Sequence, residues 1–105
     1  MARTLPRPTS VNPLAGDMAA LGRLVRNRRA QSELRIDDAA DMLGISKDVL
    51  SRLENGRSVS LDKLFKVLNG LGLNMLVFTN QETSAVLDSV GTLNAQASGS
   101  PSEPS

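Results

Sequence analysis

The chain has 105 residues, twelve Lys or Arg against eleven Asp or Glu for a net charge of +1, and no His, Cys, Trp or Tyr. That length sets one small domain as the ceiling. The missing His and Cys argue against zinc and haem sites of the usual kind, Ser-His-Asp and Cys-His nucleophiles, and a disulfide framework. An enzyme is therefore not expected, and neither is a cofactor or a metal. Aliphatic side chains carry the 40% hydrophobic content, with Phe65 and Phe78 the two aromatics, which suits a helical core.

The opening stretch MARTLPRPTSVNPLAG is broken by three prolines and two arginines, unlike a secretory leader. No apolar span of 18 residues follows, so a cytoplasmic protein is expected. Asp17 is placed to cap a first helix running to about Ala30, with Leu21, Leu24 and Val25 on one face. A second helix spans Ile36 to Leu43. There Asp37 and Asp38 suit the positive end of the dipole, and Ile36, Ala39, Ala40 and Leu43 form an i, i+3, i+4, i+7 stripe. Gly44 stops it. Ser46 then caps a third helix through Glu54 with Val49, Leu50 and Leu53 inward, and Asn55-Gly56 supply turn chemistry. Ser60 caps a fourth helix carrying Leu61, Leu64, Phe65, Leu68 and Leu71, ended by Gly70 or Gly72.

After Gly72 the pattern changes to an extended run, Leu73 to Thr79, dense in strand formers. The chain offers no second strand of similar quality. The run is therefore expected to pair with its equivalent in a second copy, giving an all-α, four-helix domain with a C-terminal β-strand that closes a homodimer. Within the remaining residues Val86, Leu87, Val90 and Leu93 recur at helical spacing, enough for a short helix formed against a partner.

Charge is distributed unevenly. Residues 1–16 hold Arg3 and Arg7 without an acid, residues 17–72 hold ten bases against eight acids, and residues 73–105 hold Glu82, Asp88 and Glu103 without a base. A basic body with an acidic end fits a polyanion binder whose tail faces elsewhere. The expected organisation is a disordered arm over 1–16, a helical domain over 17–72, a dimerisation strand over 73–80 and a flexible acidic tail over 81–105.

Gly44 and Ile45 leave too little chain between the second and third helices for antiparallel stacking, which is the spacing of a helix-turn-helix. Ala39 and Ala40 allow close approach, while Ile45 and Leu50 fill the space between the helices. Together LGRLVRNRR, AADMLGIS, VLSRLENGR and SLDKLFKVLNGLGL make Leu21 to Leu73, about half of the chain, resemble the Xre or lambda-repressor-like helix-turn-helix family. The continuation LNMLVFTN is similar to the HipB-type antitoxins of that family, in which a strand after the last helix pairs across the dimer.

The resemblance implies a recognition helix starting at Ser46, with Ser46, Lys47, Asp48, Ser51 and Arg52 facing bases. Lys47 and Arg52 can donate to guanine O6 and N7, and Ser51 is adaptable. Asp48 either accepts from cytosine N4 or serves the helix terminus. Phosphate contacts are expected from Arg35, the backbone at Ile36, Asn55, Gly56, Arg57, Ser58 and Lys63. Arg35 and Ile36 stand where the family usually has Thr and Gln, so Arg35 would have to replace the lost amide contact. Arg29 and Glu54 occupy the family's positions for a structural ion pair. Arg23, Arg26 and Arg28 read as a solvated face, and Met42 and Met75 as core filler and strand packing.

The expected function is a dimeric, sequence-specific repressor that binds double-stranded operator DNA, serves as the antitoxin of a HipA-like kinase toxin, and represses its own operon. A free-standing repressor without a toxin and a helical protein-interaction scaffold are the alternatives. No membrane association is expected.

Overall fold

Asp17 opens the first helix by accepting the Ala20 amide at 2.8 Å, and the computed structural model, which describes residues 12–98, runs that helix (α1) from Met18 to Gln31. The helix ends without a glycine. Glu33 adopts φ +57°, and the Leu34 amide reaches back to the Arg29 carbonyl at 3.3 Å, closing the last turn. Helix α2 spans Ile36–Leu43 and is closed by Gly44 at φ +74°, where the Ile45 amide bonds the Ala40 carbonyl. Helix α3, Lys47–Glu54, is capped by the Ser46 hydroxyl, which accepts from the Val49 amide at 3.1 Å. Helix α4, Leu61–Gly70, is capped in the same way by Ser60 on Lys63. Of the two glycines expected to end α4, Gly72 does so with φ +74° and a Leu73-to-Leu68 bond of 2.8 Å. Gly70 lies inside the last turn, where it leaves room for Leu43.

Helix α3 packs on α1, α2 and α4. The core is aliphatic: Val25, Leu50, Leu53 and Val67 are fully buried, with Ala39, Ala40, Leu43, Leu64, Leu68 and Leu71 around them. Met18, Leu21, Leu34, Ile36, Ile45, Val59 and Leu73 seal its margin. The apolar residues of α4 do not all face inward. Leu61 and Phe65 are 67% and 44% exposed, and Val67 takes the central place on α4. Met42, expected as core filler, is also exposed, and Met75, expected to pack in the strand, is exposed in the single chain.

The described residues divide into two compact units, one ending at Met75 with α1 to α4 and the other beginning at Leu76. Among the described residues no β-strand forms. The run expected to be a strand is irregular within the single chain: Leu73 and Phe78 are half-buried, and Met75, Leu76 and Val77 are exposed. The physical reason is that a strand exists through its ladder, and the described residues supply no second edge.

In the second unit, where composition suggests flexibility, a 3₁₀ turn at Asn80–Glu82 leads into helix α5, Thr83–Ser98. Glu82 accepts the Thr79 amide at 3.0 Å and the Thr79 hydroxyl at 3.1 Å. These two bonds, the amide's first, hold the Glu82 carboxyl below its ordinary range against a small opposing effect of desolvation. Val86, Leu87 and Val90 are half-buried along α5. The described residues contain no helix long and apolar enough to cross a membrane, and no cluster of His, Cys, Asp and Glu able to hold a metal. The expected N-terminal arm lies mostly outside the described residues.

Candidate nucleic-acid interface

Gly44, Ile45 and Ser46 join α2 to α3. Their roles are separable: Gly44 adopts the left-handed conformation, Ile45 drops its side chain against the core, and Ser46 caps α3. Because Ser46 makes the cap bond, its hydroxyl oxygen is committed to Val49. Asp48 sits in the first turn of α3, exposed, where a negative charge complements the helix dipole without serving as the cap.

The outward side of α3 presents Lys47 and Asp48 exposed, and Ser51 and Arg52 half-buried. Asp48, Ser51, Arg52, Asn55 and Arg57 line one concavity of about 260 Å³. Arg52 is partly committed within the fold, since its Nη2 donates to the Ser58 carbonyl at 3.1 Å and the Arg57 amide bonds the Arg52 carbonyl at 2.8 Å. It therefore holds the α3–α4 loop that carries Arg57 and Ser58, both exposed. Asn55 links two helices. Its Nδ2 donates to the Ser51 carbonyl at 2.8 Å, and its Oδ1 accepts from Arg26 at 3.4 Å.

Gly56, at φ +79°, is a packing device as much as a contact candidate, because a Cβ there would lie 3.1 Å from the Ala19 Cα. Lys63, in the first turn of α4, is half-buried. At the start of α2 the Arg35 side chain is 80% exposed and reaches Asp37 at 3.8 Å, while the Ile36 side chain turns into the core, so only the Ile36 backbone is available for a polar contact.

The support beneath this surface is an ion pair. Arg29 donates to both Glu54 oxygens, at 2.6 and 2.7 Å, and donates Nη1–H to the Leu34 carbonyl at 2.9 Å. Glu54 is buried, its side chain 2% exposed. Its hydrogen bond and charge raise the Arg29 guanidinium above its ordinary range, against the opposing effect of burial. One carboxylate thus ties α1 to the C-terminal end of α3.

Three residues gain roles that spacing alone did not assign. Arg26 reaches Glu54 at 3.7 Å as well as Asn55. Arg28 donates Nε–H to the Leu71 carbonyl at 2.7 Å, closing the end of α4 onto α1. Gly22 lets α1 touch α3, since a Cβ there would collide with the Leu53 and Glu54 carbonyls. The legible signal for Gly22 was a glycine three residues before the inward Val25, on the same helix face.

Lys47, Arg52 and Arg57 of α3 and its following loop, with Asp48 among them, and Lys63 in the first turn of α4 are the charges available to a polyanion. No curated protein matches the chain. Residues 25–78, slightly more than half of the sequence, match the helix-turn-helix family, spanning the second half of α1 through most of the run after α4. The chain belongs to the helix-turn-helix family, a DNA-binding and generally non-enzymatic group, and is a DNA-binding transcription regulator.

Proposed function

We propose that the protein is a dimeric repressor that reads operator DNA through α3, with base contacts from Ser46, Lys47, Asp48, Ser51 and Arg52. Arg35, the Ile36 backbone, Asn55, Gly56, Arg57, Ser58 and Lys63 contact phosphates. The observation that carries this reading is the α3 surface, with exposed Lys47 at its N-terminal end and exposed Arg57 in the loop at its other end. A helix entering a major groove by its N-terminal half needs base-reading donors first and phosphate-positioning groups beyond them.

Titration of duplex binding with salt tests it. Affinity is expected to fall steeply between roughly 50 and 200 mM salt as counterions return to the phosphates. A flat response would remove phosphate neutralisation, and with it the DNA reading in favour of a protein-interaction scaffold.

The homodimer, closed by pairing of Leu73, Met75, Leu76, Val77 and Phe78 with their equivalents, is supported by exposure of Met75, Leu76 and Val77 in the single chain. The antitoxin role, with a HipA-like kinase as partner, is supported by the resemblance of that run to HipB-type antitoxins and by the acidic, base-free stretch 73–105. Recovery of a kinase-like protein in stoichiometric amount with the tagged full chain, lost on truncation after Thr79, is the expected result. DNA binding without such a partner would leave a free-standing repressor.

A further inference from the structure

Helix α4 carries an outward edge that the core does not use. Leu61 and Phe65, one turn apart, are 67% and 44% exposed, although Leu64, Val67 and Leu68 of the same helix are buried. Beside them Asp62 and Lys66, also one turn apart, are both exposed. The ion pairs among the described residues are Arg26–Glu54, Arg29–Glu54 and Arg35–Asp37, so neither Asp62 nor Lys66 has an ionic partner there.

An apolar pair flanked by one acid and one base, both without ionic partners, has a specific complement. When two copies of α4 lie antiparallel about a two-fold axis near Leu64, Asp62 of each faces Lys66 of the other along one seam. Phe65 then meets its equivalent beneath that seam, and Leu61 of each copy meets Phe65 of the other. A partner of single-sign charge would satisfy only half of this pattern, whereas a second copy satisfies all of it.

We infer that the outward edge of α4, Leu61, Asp62, Phe65 and Lys66, docks on the same edge of a second copy. This inference rests on the dimeric reading above and adds a surface to it. The arrangement is isologous, matching the two-fold symmetry of the paired half-sites that dimeric helix-turn-helix proteins read.

Sedimentation equilibrium of the full chain at micromolar concentration tests it, with circular dichroism and thermal melting of each variant confirming the fold. Phe65→Glu is expected to raise the dimer dissociation constant by at least about tenfold, because a charge then enters an apolar contact. Asp62→Lys and Lys66→Asp are each expected to raise it roughly two- to thirtyfold, since each creates like-charge contacts twice in the dimer. Asp62→Lys combined with Lys66→Asp regenerates the opposite pairing and is expected to return within about threefold of the parent.

Unchanged dissociation constants for the single reversals, or a double reversal as weak as the singles, would overturn the docking edge. Loss of the dimer on Val77→Pro with no effect of Phe65→Glu would overturn it while leaving the dimeric reading in place. A parent chain monomeric at all soluble concentrations would remove both.

Discussion

At the scale of single residues, the site divides into groups that make the fold and groups that face outward. Glu54 belongs to the first kind. With its carboxylate buried against Arg29, removing one partner strands a charge, and the cost exceeds what the intact pair contributes. Glu54→Ala is expected to lose about 3–5 kcal/mol in urea unfolding. Replacing both partners, Arg29→Met with Glu54→Leu, should lose less than Glu54→Ala alone, although the Leu34 carbonyl then loses its donor.

Lys47 and Arg57 belong to the second kind, both exposed and without an ion pair among the described residues. Lys47→Ala should cost about 1–3 kcal/mol on the preferred sequence and relax base preference there. Arg57→Ala should weaken specific and random duplexes alike and lower the salt slope by about one. Equal losses on both duplexes for both variants would reverse the assignment. For Arg52 the family resemblance implies base contact, and the proposed function keeps that role. Its bond to Ser58, which also makes it the holder of the phosphate loop, depends on how the chain turns after α3 and has no local signature.

At the scale of elements, legibility followed local chemistry. The bounds of α2 could be read because its stop is a glycine in a left-handed conformation, and those of α3 and α4 because serine caps precede them. The end of α1 carried no such mark, since Glu33 adopts the left-handed conformation that glycine usually supplies. On α4, apolar residues at 61, 64, 65, 68 and 71 form a stripe too wide to say which edge faces inward. Packing against α2 and α3 decided that, leaving Leu61 and Phe65 outside and burying Val67. In α5 composition argued for flexibility and periodicity for a helix; the structure follows periodicity, with Glu82 fixing the start.

Two glycines within helices separate packing from propensity. Gly22→Ala gains helix propensity, but the new Cβ meets backbone carbonyls that cannot rotate away, so overpacking dominates. A loss of about 1–3 kcal/mol is expected in thermal unfolding, with weaker DNA binding as α1 is pushed off α3. Gly91→Ala, with nothing within 4 Å of its Cβ, should instead increase helix content by circular dichroism.

At the scale of the whole molecule, the described residues place four helices in one unit and leave three large apolar side chains in sequence, Met75, Leu76 and Val77, facing water beyond the last of them. Val77, 87% exposed, contributes almost nothing to the single chain. The proposed dimer would give it a contact, and the pairing proposed for it depends on backbone donors. Val77→Pro removes one such donor and fixes φ while touching no core contact, so the thermal midpoint of the helical unit should change little. The dimer should weaken in sedimentation at micromolar concentration, and binding to paired half-sites about 34 Å apart should fall more than binding to a single half-site. If dimerisation and paired-site binding survive the proline, the run after α4 is not the ladder, and the outward edge of α4 carries the assembly.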